Sequence, residues 1–179
     1  MESKIIIKSL GLEDLKDTFL KDFKRYQVTH KVLFMEDDQY KVKSDHFVDD
    51  WDDVKKAQVL SDLRTCLLKG GKVIGAFISE ELAGFANIES SLFGSKKEYV
   101  ELPYIHVSSD RRGYGIGKKM FNKCCEEAKR LGAAKLYIAA HPSVESQGFY
   151  EAVGCKKAVE INDEIKAREP LDIQLEKVL

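Results

Sequence analysis

Apolar and polar positions alternate between two periods along this chain. Residues 4–10 hold three consecutive isoleucines (Ile5, Ile6, Ile7) and read as a strand. Leu12, Leu15, Phe19, Phe23 and Tyr26 recur at three- and four-residue spacings, which predicts an amphipathic helix. In residues 31–50 the runs 32–35 and 40–43 can pair around Asp37-Asp38-Gln39. A second helix is expected over 53–69, buried through Val54, Leu60, Leu63 and Leu67 and stopped by Gly70-Gly71. Strands follow at 72–78 and 82–89 around Ser79-Glu80-Glu81, then a long one at 98–107.

The next helix runs from a glycine-rich stretch to about Leu131. Its apolar face is Ile116, Met120, Phe121, Cys124, Ala128 and Leu131, with Gly132 just past its end. Residues 135–140 form a short strand. Ser143 is placed to cap a helix that Gly154 stops, and strands at 155–161 and 171–178 complete the pattern. The 179 residues fit one domain, 1–179, with 44% hydrophobic and 33% charged residues as in an ordinary folded protein.

Charge sharpens this picture. The net of −1 argues against a nucleic-acid binder. Between Glu36 and Asp53 eight acids face two lysines, a local net of −6; between Arg111 and Lys135 eight bases face two glutamates, a local net of +6. The four cysteines make no C-x-x-C pair, and no zinc spacing or other metal set is seen. No run reaches the ~18 apolar residues of a membrane span, and Ile5–Ile7 is short for a signal segment, so a reduced, cytoplasmic setting is expected.

The candidate chemistry centres on Arg111-Arg112-Gly113-Tyr114-Gly115-Ile116-Gly117-Lys118-Lys119. A strand, a glycine-rich turn and a helix N-terminus make an anion trap, because unpaired N–H groups and a partial positive charge face outward. The P-loop pattern fails: three residues, not four, separate Gly113 from Gly117, and Lys119 stands where Ser or Thr is required. The dinucleotide fingerprint fails as well, with G-x-G-x-G in place of G-x-G-x-x-G and Ala139-Ala140 where a ribose-binding acid is needed.

Arg112-Gly113-Tyr114-Gly115-Ile116-Gly117 does match [Q/R]-x-x-G-x-[G/A], and it resembles the coenzyme A pyrophosphate loop of the GNAT superfamily of N-acetyltransferases. The preceding strand Tyr104-Ile105-His106-Val107 and the later run 143–155, with its Phe-Tyr-Glu-x-x-Gly ending, strengthen the resemblance, which is clearest over 72–158. It implies an α/β (α+β) fold: a mixed, mostly antiparallel central sheet of about seven strands flanked by helices. The fourth and fifth strands, here 98–107 and 135–140, would be a splayed pair.

The resemblance further implies acetyl-CoA as cosubstrate and an amine-bearing acceptor, with direct attack in a ternary complex. It also admits a homodimer. Pantetheine would pair with the main chain of Ile105 and Val107, with the Ile105 or His106 N–H near the acetyl oxygen. The pyrophosphate would rest on the amides of Arg112, Gly113, Tyr114, Gly115, Ile116, Gly117 and Lys118. Ser143 replaces an Asn common in the family at a pantetheine contact, and Ser146 an Ala. Tyr150 falls where members place the tyrosine that protonates the departing sulfur.

For the base, Glu101 matches the position of a carboxylate used by some members. Unbroken alternation would put it on one face with Ile105 and Val107, and a bulge would break that parity. His106 rivals it on pKa alone. Tyr26, His30, Phe34 and Trp51 lie where this fold builds acceptor pockets. Two other readings stay open at this level: a non-catalytic acetyl-CoA-binding module, and a nucleotide-binding protein using the same loop.

Overall fold

In the computed structural model, which describes residues 4–179, the chain wraps an open, twisted sheet in helices. The elements in order are β1 (Ile5–Leu10), β2 (Tyr26–Glu36), β3 (Gln39–Asp50), α1 (Asp53–Leu68), β4 (Lys72–Ile78), β5 (Glu81–Ile88), β6 (Tyr99–Glu101), β7 (Ile105–Val107), α2 (Ile116–Arg130), β8 (Lys135–Ala140), α3 (Val144–Ala152), β9 (Lys156–Lys157), α4 (Asp163–Arg168) and β10 (Ile173–Val178). One half-sheet has the order β1-β4-β5-β7 and the other β6-β8-β10-β9; only β6 and β8 run parallel. With β6 and β7 taken as one interrupted strand, this is the expected seven-stranded, mostly antiparallel sheet.

Alternation along β4 feeds two cores. Ile74 and Ala76 meet α2 through Ile116, Met120, Phe121, Cys124 and Ala128. Val73 and Phe77 face the other way, toward Val59, Leu60 and Leu63 of α1. Val54, expected in the α1 interface, is 78% exposed; Val59 and Cys66 are buried in the set instead.

Residues 12–26 depart from expectation. The predicted helix is a 3₁₀ turn at Leu12–Asp14 followed by tight turns, with Phe19, Lys21 and Phe23 donating to carbonyls three residues back. An α-helix would have spent the Leu15 carbonyl on the Phe19 N–H. The Arg64 guanidinium of α1 takes that carbonyl, at 3.0 Å from Nε and 2.6 Å from Nη2. Of the apolar set, Leu15 and Phe23 are buried all the same, while Leu12 and Tyr26 are 46% and 49% exposed, so the spacing marks part of the core without a helix.

The hairpin β2–β3 is far longer than the expected short pair, extending from Tyr26 to Asp50 with Asp37 and Asp38 at positive φ in its turn. It lies across the molecule onto the loop after β8. The Leu33 N–H donates to the Pro142 carbonyl at 2.8 Å, and Phe47 meets His141 at 5.2 Å between ring centroids. The strand expected at 155–161 shrinks to β9, because the Val159 N–H goes to the Glu176 carboxylate at 3.1 Å instead of a ladder. α4 was not foreseen; Asn162 caps it by accepting from the Ile165 N–H at 3.0 Å.

The expected long strand at 98–107 breaks at Leu102-Pro103-Tyr104. Pro103 has no N–H to give to a ladder. Before the break, the Leu102 N–H bonds the Tyr137 carbonyl of β8 at 3.0 Å. After it, the Asn87 N–H bonds the Tyr104 carbonyl, and the Asn87 side-chain carbonyl accepts from the Tyr104 N–H, both at 3.0 Å. Asn87 is buried, and its truncation would take this acceptor from the Tyr104 N–H. Asn87→Ala is expected to lower stability by about 1–3 kcal/mol, read as a lower urea midpoint with an unchanged slope.

Candidate functional site

Because β7 pairs with β5 and β6 with β8, a gap opens between β7 and the far half of β8. Two flanking bonds show which main-chain groups face it. The Ser108 N–H bonds the Ala83 carbonyl and the Asn87 N–H bonds the Tyr104 carbonyl, so antiparallel alternation assigns the main-chain groups of His106 to its partner Phe85. Those of Ile105 and Val107 point into the gap. A cleft of about 600 Å³ runs from here to the glycine loop and is roofed by the base of the β2–β3 hairpin.

One end of the cleft is basic. α2 begins at Ile116 with no side chain capping it and no acid in its first turn. Its free N–H groups face a loop in which Gly113 (φ 86°) and Gly115 (φ 74°) adopt left-handed backbone. A Cβ at either glycine would meet nothing within 4 Å, so both open outward; one at Gly117 would meet the Phe149 ring at 3.1 Å. Gly113, Gly115, Ile116, Gly117, Lys118 and Arg112 line the cleft, whereas Tyr114 is 67% exposed and stands apart from it. The donor set and open glycines fit a pyrophosphate.

The middle is aromatic. Tyr150, on α3, is buried between Phe149 (5.2 Å) and Phe121 (6.5 Å) and still reaches the cleft. Burial raises its phenol above the ordinary value, so it holds its proton at neutral pH. His106 lines the cleft edge-on to Trp51 at 5.0 Å. Burial, then the charges of Arg25 and Arg112, keep its imidazole well below its ordinary range and neutral. His141 is lowered too, chiefly by burial; its Nδ1 accepts from the Ser143 N–H at 3.2 Å, which leaves the proton on Nε2. Ser146 lines the cleft, while Ser143 is buried as the α3 cap, accepting from the Ser146 N–H at 3.1 Å.

The other end is acidic. Asp49, Glu169 and Asp172 line it together with Arg25, Gln27, Trp51 and Lys55. Burial, then the Glu169 and Asp49 carboxylates, push Asp172 up to about 7. Glu101 lies elsewhere. The break at Pro103 removes the parity that would have placed it beside Ile105, and it lines an adjoining cavity of about 460 Å³, ion-paired with Arg168. Burial raises its pKa against the pull of Arg168. The two cavities share Pro103, Tyr104, Ala139, Glu169 and Asp172.

Of the four aromatic residues expected near an acceptor, only Trp51 lines the cleft. Sequence reasoning missed Arg25, Glu169 and Asp172. Asn162 followed by Asp163-Glu164 would have signalled the helix that leads to Glu169, but no local pattern marks the acids themselves.

Gly115→Ala is expected to cost about 1–2 kcal/mol in urea unfolding, because its Cβ clashes with nothing and only the left-handed backbone resists it. Gly115→Asn should cost less, since Asn tolerates this conformation.

No curated protein matches the chain in sequence. In structure it is similar to a candidate streptothricin acetyltransferase from Bacillus anthracis str. Ames in complex with acetyl coenzyme A, at 16% identity and TM-score 0.71, covering 97% of this chain and 96% of that one. It is also similar to PaiA N-acetyltransferase from Thermoplasma acidophilum in complex with coenzyme A (14%, TM-score 0.60, covering 98% and 99%). A third similarity is to aminoglycoside 6′-acetyltransferase type Ii (18%, TM-score 0.62, covering 97% and 96%). These likenesses are of fold; the sequence model of the acetyltransferase (GNAT) family matches residues 29–155, most of the chain and all of the cleft's glycine loop. The chain therefore belongs to the acetyltransferase (GNAT) family.

Proposed function

We propose that the protein is an acetyl-CoA-dependent N-acetyltransferase of a primary amine, working by direct attack in a ternary complex. The observation that carries this reading is one continuous cleft. It joins an uncapped helix N-terminus, the gap-facing main chain of Ile105 and Val107, whose Val107 carbonyl accepts from Arg112 Nε, the Tyr150 phenol and an acidic far end. The coenzyme complexes of two solved relatives support it.

Acetyl-CoA would lay its pyrophosphate on the amides from Arg112 to Lys118 and its pantetheine along β7. The acceptor ammonium would enter at Asp49, Glu169 and Asp172. It must lose a proton before attack. From an amine near 10.4, transfer to an ordinary carboxylate near 3.9 is uphill by about 9 kcal/mol. Transfer to Asp172 at about 7 is uphill by about 5 kcal/mol. Asp172 is therefore better matched to the task than an ordinary acid, and better placed than Glu101, which reaches the cleft only through the adjoining cavity.

The neutral nitrogen then bonds to the acetyl carbon while the carbonyl electrons move to oxygen. The Ile105 N–H, one of the two β7 main-chain donors that face the gap, would meet that oxyanion. Collapse breaks the C–S bond, Tyr150 gives its proton to the sulfur, and the proton still carried by the nitrogen passes through water to the tyrosinate, leaving a neutral amide, CoA thiol and a restored phenol. Burial raises the phenol's proton affinity, but the same low-dielectric setting raises that of the thiolate, which keeps the transfer feasible.

Acetyl-CoA and CoA, but not ATP or NAD, are expected to raise the unfolding temperature by roughly 5–10 °C at ~100 times Kd. Binding without release of CoA thiol across an amine panel would mark a non-catalytic binder. Tyr150→Phe should lower kcat about 100-fold and leave acetyl-CoA affinity intact.

The rate constant kcat/KM should rise with pH through about 7, as Asp172 loses its proton, and Asp172→Asn should remove that inflection. Stability checks the same shift. A carboxyl whose folded pKa is raised binds its proton more tightly when folded, so its contribution worsens as pH climbs from near 4 to about 7. Asp172→Asn should thus unfold at a higher temperature than the parent at pH 8, and the gain should shrink toward pH 4.

A further inference from the structure

One buried cation in the cleft is held without an ion pair among the described residues. Arg25 precedes β2 at the base of the hairpin and is only 7% exposed, yet it lines the cleft. Its Nη1 donates to the Gln27 side-chain carbonyl at 2.9 Å, and its guanidinium lies 6.0 Å from the Trp51 ring. Its Nε is closed off from solvent without a hydrogen-bond partner. Asp49 is the carboxylate that acts on it most strongly, but among the described residues no ion pair joins them. The Oδ2 of Asp49 is turned to His141 Nε2 at 3.7 Å and is itself buried without a hydrogen bond.

A buried guanidinium is far costlier than a buried neutral group unless an anion meets it. Its planar fork suits a carboxylate held through two parallel bonds. The coenzyme's anionic groups already have the glycine loop and the α2 N-terminus. Arg25 instead shares the hairpin base with Gln27, Asp49 and Trp51, on the acceptor side. Asp49 is the acid beside it, and Glu169 and Asp172 line the same cleft, so a single molecule carrying a carboxylate and an ammonium would satisfy both signs.

We infer that Arg25 anchors a carboxylate on the acceptor, so that the preferred acceptor is a carboxylate-bearing amine of amino-acid type, not a plain diamine or polyamine. This rests on the N-acetyltransferase reading above and narrows it.

The test uses matched pairs: L-lysine with cadaverine, L-ornithine with putrescine, L-histidine with histamine, and β-alanine with ethylamine. CoA thiol release is followed at saturating acetyl-CoA. The acid of at least one pair should exceed its decarboxylated partner by about 10- to 100-fold in kcat/KM. Arg25→Gln should erase that preference, raising KM about 10-fold or more further for the acids than for their decarboxylated partners, with the calorimetric Kd for acetyl-CoA close to the parent's. Arg25→Lys, which keeps the charge and loses the fork, should retain part of it and shows that the site still folds.

Equal use of acids and amines overturns the inference. So does an equal loss on both with Arg25→Gln, which would mean that the guanidinium only balances Asp49. Weakened acetyl-CoA binding by that variant assigns the guanidinium to a coenzyme anion and overturns it as well. If no pair is turned over, the same compounds are compared by their effect on the unfolding temperature of the CoA-bound protein, where no advantage of acids over amines is again fatal. Failure of the parent protein to bind acetyl-CoA at all is a separate outcome and removes the transferase reading itself.

Discussion

Pro103 cannot donate to a ladder, and the architecture of the cleft follows from that single missing N–H. The chain reaches Leu102 bonded to β8 and leaves Tyr104 bonded to β5. The end of β5 holds it on both sides of the break, the Glu89 N–H bonding the Glu101 carbonyl before it, so what is lost is β8, and a sheet that could have been continuous opens into two halves. Asn87 lets the change happen without an orphaned donor, because its buried side chain takes the Tyr104 N–H. The break then rotates the main chain of Ile105 and Val107 toward the gap. It also sends Glu101 into a different cavity from the residues four and six positions later.

Around this gap the cleft is graded by charge. A helix N-terminus and its basic loop sit at one end, and three carboxylates sit at the other. Between them the ionisable side chains are held uncharged: His106 and His141 by lowered pKa, Tyr150 by a raised one. Burial is the first cause in all three cases. A site of this kind keeps charge at the places where charged groups of ligands would arrive, and keeps the central region where sulfur and nitrogen would exchange an acyl group free of competing ions. Arg25 is the exception, a buried cation beside Asp49 at the base of the hairpin.

The hairpin β2–β3 shows how long-range packing shapes the acidic end of the cleft. It carries most of the acidic stretch that the charge pattern singled out, but only Asp49 of that stretch reaches the cleft. Glu36, Asp37, Asp38, Asp45 and Asp50 lie along an exposed arm, and Asp52 and Asp53 open α1, where Asp52 accepts from the Lys55 N–H. The hairpin is held at its far side by the Leu33–Pro142 bond and at its base by the Trp51 N–H on the Arg25 carbonyl, at 3.1 Å. These two bonds carry Arg25, Asp49 and Trp51 over the opening between β7 and the loop after β8.

What the sequence determined by itself was local. The spacing of Gly113, Gly115 and Gly117 requires a backbone without side chains whatever surrounds it, and α2, β4, β5 and β8 follow from periodicity and end signals within one window. Ser143 and Gly154 could likewise be read as helix ends, since capping is settled within about four residues. What the tertiary structure decided was every feature that depends on a distant partner. Arg64 took the Leu15 carbonyl and cancelled a helix that the apolar spacing predicted. β8 and β5 drew one strand in two directions. Arg25, Asp49 and Asp172 converge from positions up to 147 residues apart, and no local period encodes such a meeting. Asp172 acquires its raised pKa only there, because burial and the two neighbouring carboxylates exist only in the folded chain.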